Sequence, residues 1–202
     1  EHDACVAKYG VTPARLFEKH GVFRAKTLAA HCVWLTDEDM DILAEYGVCA
    51  AHCPVSNLKL GSGIARVHGM IEHGVKVALG TDGCCSNNSH DLFEEIKLAA
   101  LLAKGMSGDS ARLPAYEALK LATVNGAKAQ GREGQIGRVQ EGYQADLILL
   151  NTASPSMCPV YAPASAVAYA AKGSDVRLTM VCGKILYENG SFMTIDIEKA
   201  IS

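Results

Sequence analysis

Several features are missing from this 202-residue chain, and each absence removes a class of protein. No run of about 18 apolar residues occurs, so no segment could cross a bilayer as a helix. Basic charge is not in excess: 19 Lys plus Arg stand against 22 Asp plus Glu, for a net charge of -3. That balance excludes the electrostatic footprint of a nucleic-acid or anionic-membrane binder and points to small-molecule partners. No internal repeat and no low-complexity tract interrupts the chain, which excludes fibrous and solenoid arrays. The opening "EHDACVAKYG" has neither an initiator Met nor the apolar stretch of a signal peptide. It starts inside a helical pattern, so further chain is expected upstream, where a leader would be invisible.

Eight cysteines are present, at 5, 32, 49, 53, 84, 85, 158 and 182. Their density is below that of a disulfide scaffold. Cys49 and Cys182 lie in apolar, strand-like runs, where a free thiol acts as a small hydrophobe. A reducing, cytoplasmic compartment is therefore expected. With 49% hydrophobic and 20% charged residues the composition is that of an ordinary globular chain with a substantial core.

From residue 1 to about 137, short apolar runs alternate with helical patterns, the signature of βα units on a parallel sheet. Strands are predicted at 27–33, 48–53 and 75–80, each buried on both faces. Thr36 is a good N-cap for "DEDMDILAEY", with Gly47 as its stop; further helices are expected before Gly74, before Gly105 and from Pro114 through residue 130. After "GREGQIG" the pattern changes to short strands at 145–150, 165–170, 177–182 and 184–192, with Asn189-Gly190 closing a hairpin. A boundary near residue 138 follows, with an α/β part before it and a small β unit after it.

The polar residues collect at strand ends. His31 and Cys32 end the first strand, His52 and Cys53 follow the second, and Thr81 and Asp82 follow the third. The C-terminal ends of parallel strands converge on one mouth, where such folds place their sites. Imidazole and carboxylate are also the ligand types that zinc or iron uses when one position stays open. Taken singly, each residue has a plainer reading: His31 or His52 as a hydrogen-bonded core histidine, Asp82 as a turn residue. Other arrangements are weaker. On a strand Cys49 and Cys53 face away from His52, which argues against a structural zinc, and Cys53 with His52 lacks the geometry of a nucleophile and its base. "GSG" at 61–63 matches neither the dinucleotide nor the P-loop spacing and reads as a loop before a helix.

Four stretches, "AAHCVWLTDEDMDIL", "AHCPVSNLKLGSGIARV", "GVKVALGTDGCCSNNSHDLFEEIKLAALLAK" and "LATVNGAKAQG" with the later "IGRVQEGYQADLILL", together resemble the amidohydrolase superfamily. Within it they are most similar to methylthioadenosine and S-adenosylhomocysteine deaminases and to triazine chlorohydrolases. The likeness runs from residue 2 to about 192. It implies the C-terminal half of a metal-dependent (β/α)8 barrel, strands five to eight, over residues 1–137, and part of a small β-sandwich over 138–202. A whole barrel takes about 250 residues. The family's His-x-His, its third metal histidine and its acid-base glutamate would precede residue 1.

By the same resemblance, Asp82 in "GTDG" matches the aspartate that binds the metal and accepts a proton from the attacking water. His31 in "AAHCV" matches the histidine that holds the water or the developing oxyanion, and His52, Asn57 and Ser86 match positions facing the substrate. The implied cofactor is one divalent ion, zinc or else iron. The implied reaction is hydrolytic deamination of an aminopurine nucleoside of the methylthioadenosine or S-adenosylhomocysteine type. Chlorohydrolysis, a guanine- or cytosine-type deamination, and a non-catalytic truncated fragment stay open beside it. Cys84 and Cys85 stand where small residues are expected. Uncovered sheet edges lead us to expect a homo-oligomer, a dimer or larger.

Overall fold

The computed structural model describes residues 2–202. Two short helices open it, α1 (His2–Tyr9) and α2 (Pro13–Lys19). Thr12 caps α2 by accepting the amide of Arg15, and Pro13 sits in the first turn, where its missing N–H costs nothing. A single 3-10 turn, Val22–Arg24, leads into β1 (Leu28–Ala30). Next comes α3 (Asp37–Glu45), started by a reciprocal capping box between Thr36 and Asp39. Then follow β2 (Cys49–His52), α4 (Pro54–Lys59), α5 (Val67–Glu72) and β3 (Lys76–Leu79).

Strands β1, β2 and β3 form one parallel sheet in that order, with Ala29 opposite Ala50 and Ala50 opposite Val77. The sequence expectation counted four barrel strands. Three parallel strands are present among the described residues, because the chain before Leu28 is taken up by α1, α2 and the 3-10 turn. The strands are also shorter than their apolar runs: His31 and Cys32 lie past the end of β1, and Cys53 past the end of β2. β1 departs from the expected two-sided burial. Leu28 is 53% exposed, and among the described residues no strand pairs with the outer edge of β1.

After β3 the chain makes one turn of helix, α6 (Cys84–Asn87), and then α7 (Leu92–Ser107), capped by the Asp91 carboxylate on the Phe93 amide. α7 passes through Gly105, the predicted stop, and ends at Gly108, whose φ of 66° supplies the left-handed C-cap. The helix expected from Pro114 onward is two: α8 (Ala115–Ala122) and α9 (Val124–Ala129). They break at Thr123, whose hydroxyl donates to the Leu119 carbonyl 2.8 Å away, a back-bond that competes with helix continuation.

The remaining elements are β4 (Leu147–Leu150), α10 (Pro163–Tyr169), β5 (Val176–Val181), β6 (Lys184–Glu188), β7 (Ser191–Phe192) and α11 (Ile197–Ile201). The strands form an antiparallel sheet in the order β4-β5-β6-β7. One predicted strand is corrected here: of residues 165–170, Ser165 to Tyr169 are helical and Ala170 is the C-cap. Proline in the first turn and alanine at every second position favour helix, and α10 lies outside the antiparallel sheet and packs on α7 and α8. Its Ala168, 1% exposed, joins the core formed by Met40, Leu43, Ala50, Met70, Val77 and Leu121. No helix among the described residues is long and apolar enough to cross a membrane.

Candidate active site

The three parallel strands deliver their polar residues to one rim. His31 follows β1 and stays attached to the sheet, its amide donating to the Ala51 carbonyl at 2.8 Å. Asp82 follows β3 after Gly80, whose amide donates to the His52 carbonyl at 3.0 Å. A Cβ on Gly80 would lie 3.3 Å from the Cys53 sulfur, so glycine permits that close approach. His31 and Asp82 both have left-handed backbones, with φ of 69° and 61°. For residues other than glycine that conformation costs on the order of 1–2 kcal/mol.

The strain aims two side chains at each other. His31 Nε2 stands 4.0 Å from Asp82 Oδ2, with the two side chains 40% and 33% exposed. Helix α4 supports both from below. Ser56, at its third residue, donates its hydroxyl to Asp82 Oδ2 at 2.7 Å, and Ser86 from α6 donates to the same oxygen at 2.6 Å. These bonds hold the Asp82 carboxyl at about 2: the Ser86 hydroxyl first, then Ser56 and the Gly83 amide, outweigh the opposing effect of partial burial. Asn57, the next residue of α4, places Oδ1 2.8 Å from His31 Nδ1.

His52 lies at the end of the central strand, 1% exposed, and its Nδ1 has no partner among the described residues. Burial, and secondarily the neighbouring His31, lower its pKa to about 4, so it is neutral at pH 7. The five residues that the sequence singled out, His31, His52, Asn57, Asp82 and Ser86, thus lie together. Two of them turn their polar atoms onto other members of the group: Ser86 onto Asp82 and the Asn57 oxygen onto His31.

Two further residues escaped sequence reasoning. Ser56 was hidden beside Asn57 in "PVSNLK", where nothing in the spacing distinguishes it. Glu95 is 0% exposed, accepts the Asn87 carboxamide at 2.6 Å and the Val55 amide at 3.2 Å, and so ties the start of α4 to the loop carrying Asp82. Burial raises its pKa, with the Val55 and Asn87 bonds opposing. A signal existed: Glu95 shares the buried face of α7 with Ile96, Ala99 and Ala100, an unusual place for a carboxylate. The cysteines play a lesser part. Burial pushes Cys32 and Cys53 up to about 11, which makes them inert thiols, while Cys84 at the rim lies 3.0 Å from His90 Nε2. "GSG" lies in the loop before α5. Ser62 accepts the Trp34 indole N–H at 2.9 Å, and Gly63 would bring a Cβ within 3.1 Å of that ring.

The donor chemistry fits part of a divalent-metal shell. Asp82 offers a carboxylate and the histidines offer imidazole, yet no three His, Cys, Asp or Glu side chains converge to hold an ion among the described residues. The described residues therefore bring together fewer ligands than the three a catalytic zinc site draws from protein.

Parallel strands carrying a strained carboxylate and imidazole on one rim define an α/β protein with a polar strand-end site. The chain belongs to the amidohydrolase family, which matches residues 1–186. It is 51% identical over 192 residues to a 5-methylthioadenosine/S-adenosylhomocysteine deaminase of Acetivibrio thermocellus, covering 95% of this chain and 44% of that protein. A 5'-deoxyadenosine deaminase of Methanosarcina acetivorans is 49% identical over 201 residues, covering 100% of this chain and 46% of the relative. Among solved structures, a zinc-bound adenosine deaminase from Xanthomonas campestris matches with a TM-score of 0.96 and 34% identity, over 100% of this chain and 46% of its own. The zinc complex of atrazine chlorohydrolase TrzN from Arthrobacter aurescens matches at 0.89 and 29%, over 99% and 44%. The chain thus spans about half the length of the curated relatives it matches.

Proposed function

We propose that this chain is the C-terminal half of a metal-dependent deaminase acting on an aminopurine nucleoside of the methylthioadenosine, S-adenosylhomocysteine or 5'-deoxyadenosine type. Residues 1–137 then form part of a (β/α)8 barrel and residues 138–202 part of a small β-sandwich, with α10 returning to the barrel layer. The observation that carries this reading is the pair His31 and Asp82, held 4.0 Å apart at the ends of β1 and β3. The names of the relatives support the substrate class.

One divalent ion, zinc by analogy with the neighbouring structures, would be held in part by Asp82. When bound, it would lower the pKa of water toward about 7. The chain's own residues supply the rest. Two hydroxyls keep Asp82 ionised at neutral pH, so it can accept the proton of the attacking water. His31 faces the same point and would hold the attacking water there as its oxygen adds to the ring carbon bearing the amino group. Neutral His52 and the rim around Ser86 line the floor and edge of the substrate's place. The amino group leaves as ammonia, and the acid that protonates the ring nitrogen belongs to the rest of the protein. The eight free thiols agree with a reducing compartment such as the cytoplasm; the open edge of β1 is where the preceding barrel strand would pair, and the homo-oligomer stays part of the proposal without support from that edge.

The likeness to a chlorohydrolase gives halide displacement a place in the same test. The complete protein, loaded with zinc, is offered methylthioadenosine, S-adenosylhomocysteine, 5'-deoxyadenosine, adenosine, guanine and a chlorotriazine, with ammonia and chloride release followed. Ammonia from the 5'-modified adenosines is expected. Chloride release alone selects the second reading, and no release of either overturns both.

A further inference from the structure

We propose that Asn57 is a positioning residue that sets the tautomer of His31, holding hydrogen on Nδ1 and leaving Nε2 bare toward Asp82; the inference rests on the function proposed above. The two ring nitrogens meet different surroundings. Nδ1 is 2.8 Å from the Asn57 carboxamide oxygen, whereas Nε2 faces Asp82 Oδ2 at 4.0 Å. A carbonyl oxygen only accepts, so the neutral ring must carry its hydrogen on Nδ1, and the lone pair falls on Nε2.

Asn57 is built to stay where it is. It is 2% exposed, its amide donates to the Cys53 carbonyl at 3.0 Å, and its own carbonyl accepts the Ser62 amide at 2.8 Å. Its Nδ2 is buried and has no partner among the described residues. The adjacent Ser56 grips Asp82 in the same way, so one turn of α4 sets both reacting side chains. This moves Asn57 from a residue facing substrate to one acting through His31.

The deciding measurement is the long-range proton–nitrogen spectrum of the complete protein labelled with nitrogen-15 histidine, recorded with the His31 ring neutral. Hydrogen on Nδ1 is expected; hydrogen on Nε2, as an amide turned end for end would impose, overturns the proposal. Asn57→Leu should scramble the tautomer and lower kcat by about 10- to 100-fold, the range for outer partners of site histidines, with KM changed less than about threefold. Asn57→Asp keeps an acceptor and should keep both the Nδ1 hydrogen and a kcat within about tenfold of the parent. Unchanged kcat and tautomer in Asn57→Leu also overturn it. If that variant does not fold, the parent spectrum and Asn57→Asp still decide. If the protein turns over no aminopurine, the function reading falls while the spectrum still answers for Asn57.

Discussion

At the turns of the antiparallel sheet, Cys182 and Asn189 take φ of 50° and 46°, each followed by a glycine also at positive φ. At the rim of the parallel sheet, His31, Cys32 and Asp82 take φ of 69°, 49° and 61°. The first pair has a local explanation. A two-residue hairpin whose twist matches its strands needs positive φ at both positions, and Asn-Gly accepts it readily. The rim residues connect parallel strands to helices, where no tight hairpin has to close. There the strained backbone has a different beneficiary: it turns an imidazole and a carboxylate toward one point. Strain that a turn explains is architecture, whereas strain without such an explanation, beside converging polar groups, is a mark of function.

If that contrast is right, the largest effects come from the rim. Asp82→Asn keeps shape and removes the base, so turnover of the complete protein should fall by about 10²- to 10⁴-fold, with loss of bound metal by elemental analysis. His31→Ala should lower kcat by about 10²- to 10³-fold and leave the metal content unchanged, because its proposed role is to hold the attacking water and not the metal. Retained turnover in either variant would erase the distinction between the two regions.

A smaller effect concerns stability. The pKa of His52 falls from an ordinary 6.5 to about 4 in the folded chain, chiefly by burial. A group whose folded pKa is depressed contributes fully above its unfolded pKa; below it the unfolded chain binds the proton first. Stability should therefore drop as pH falls from about 6.5 to 4, by about 3 kcal/mol for this one histidine. His52→Gln should flatten that part of the profile in denaturant melts. An unchanged slope would mean that His52 is not held neutral by its surroundings.

How far the sequence could be read follows the same division. β1, β2 and β3 were legible because strands between helices must be apolar, and Thr36 and Asn189-Gly190 because caps and hairpins have local chemistry. His31 and Asp82 were legible as polar residues at strand ends, with the resemblance to sort them from turn residues. Ser56 and Glu95 were not, since their roles depend on which loops meet across the sheet. Residues 165–170 misled because valine and tyrosine alternating with alanine suit a strand locally, while their partner surface on α7 and α8 lies more than 40 residues earlier in the chain.

The finest separation of the two kinds of strain uses glycine, which accepts positive φ without cost. Asn189→Gly should shift stability by less than about 1 kcal/mol and leave kcat and KM unchanged, since the hairpin needs only the backbone conformation. His31→Gly relieves the same kind of strain, worth about 1–2 kcal/mol, partly offset by about 0.5–1 kcal/mol of extra unfolded-state freedom. It should therefore melt within about 1 kcal/mol of the parent while losing its turnover. If His31→Gly instead unfolds the chain, the imidazole is needed for the architecture itself, and left-handed backbone at the rim means no more than it does at the hairpins.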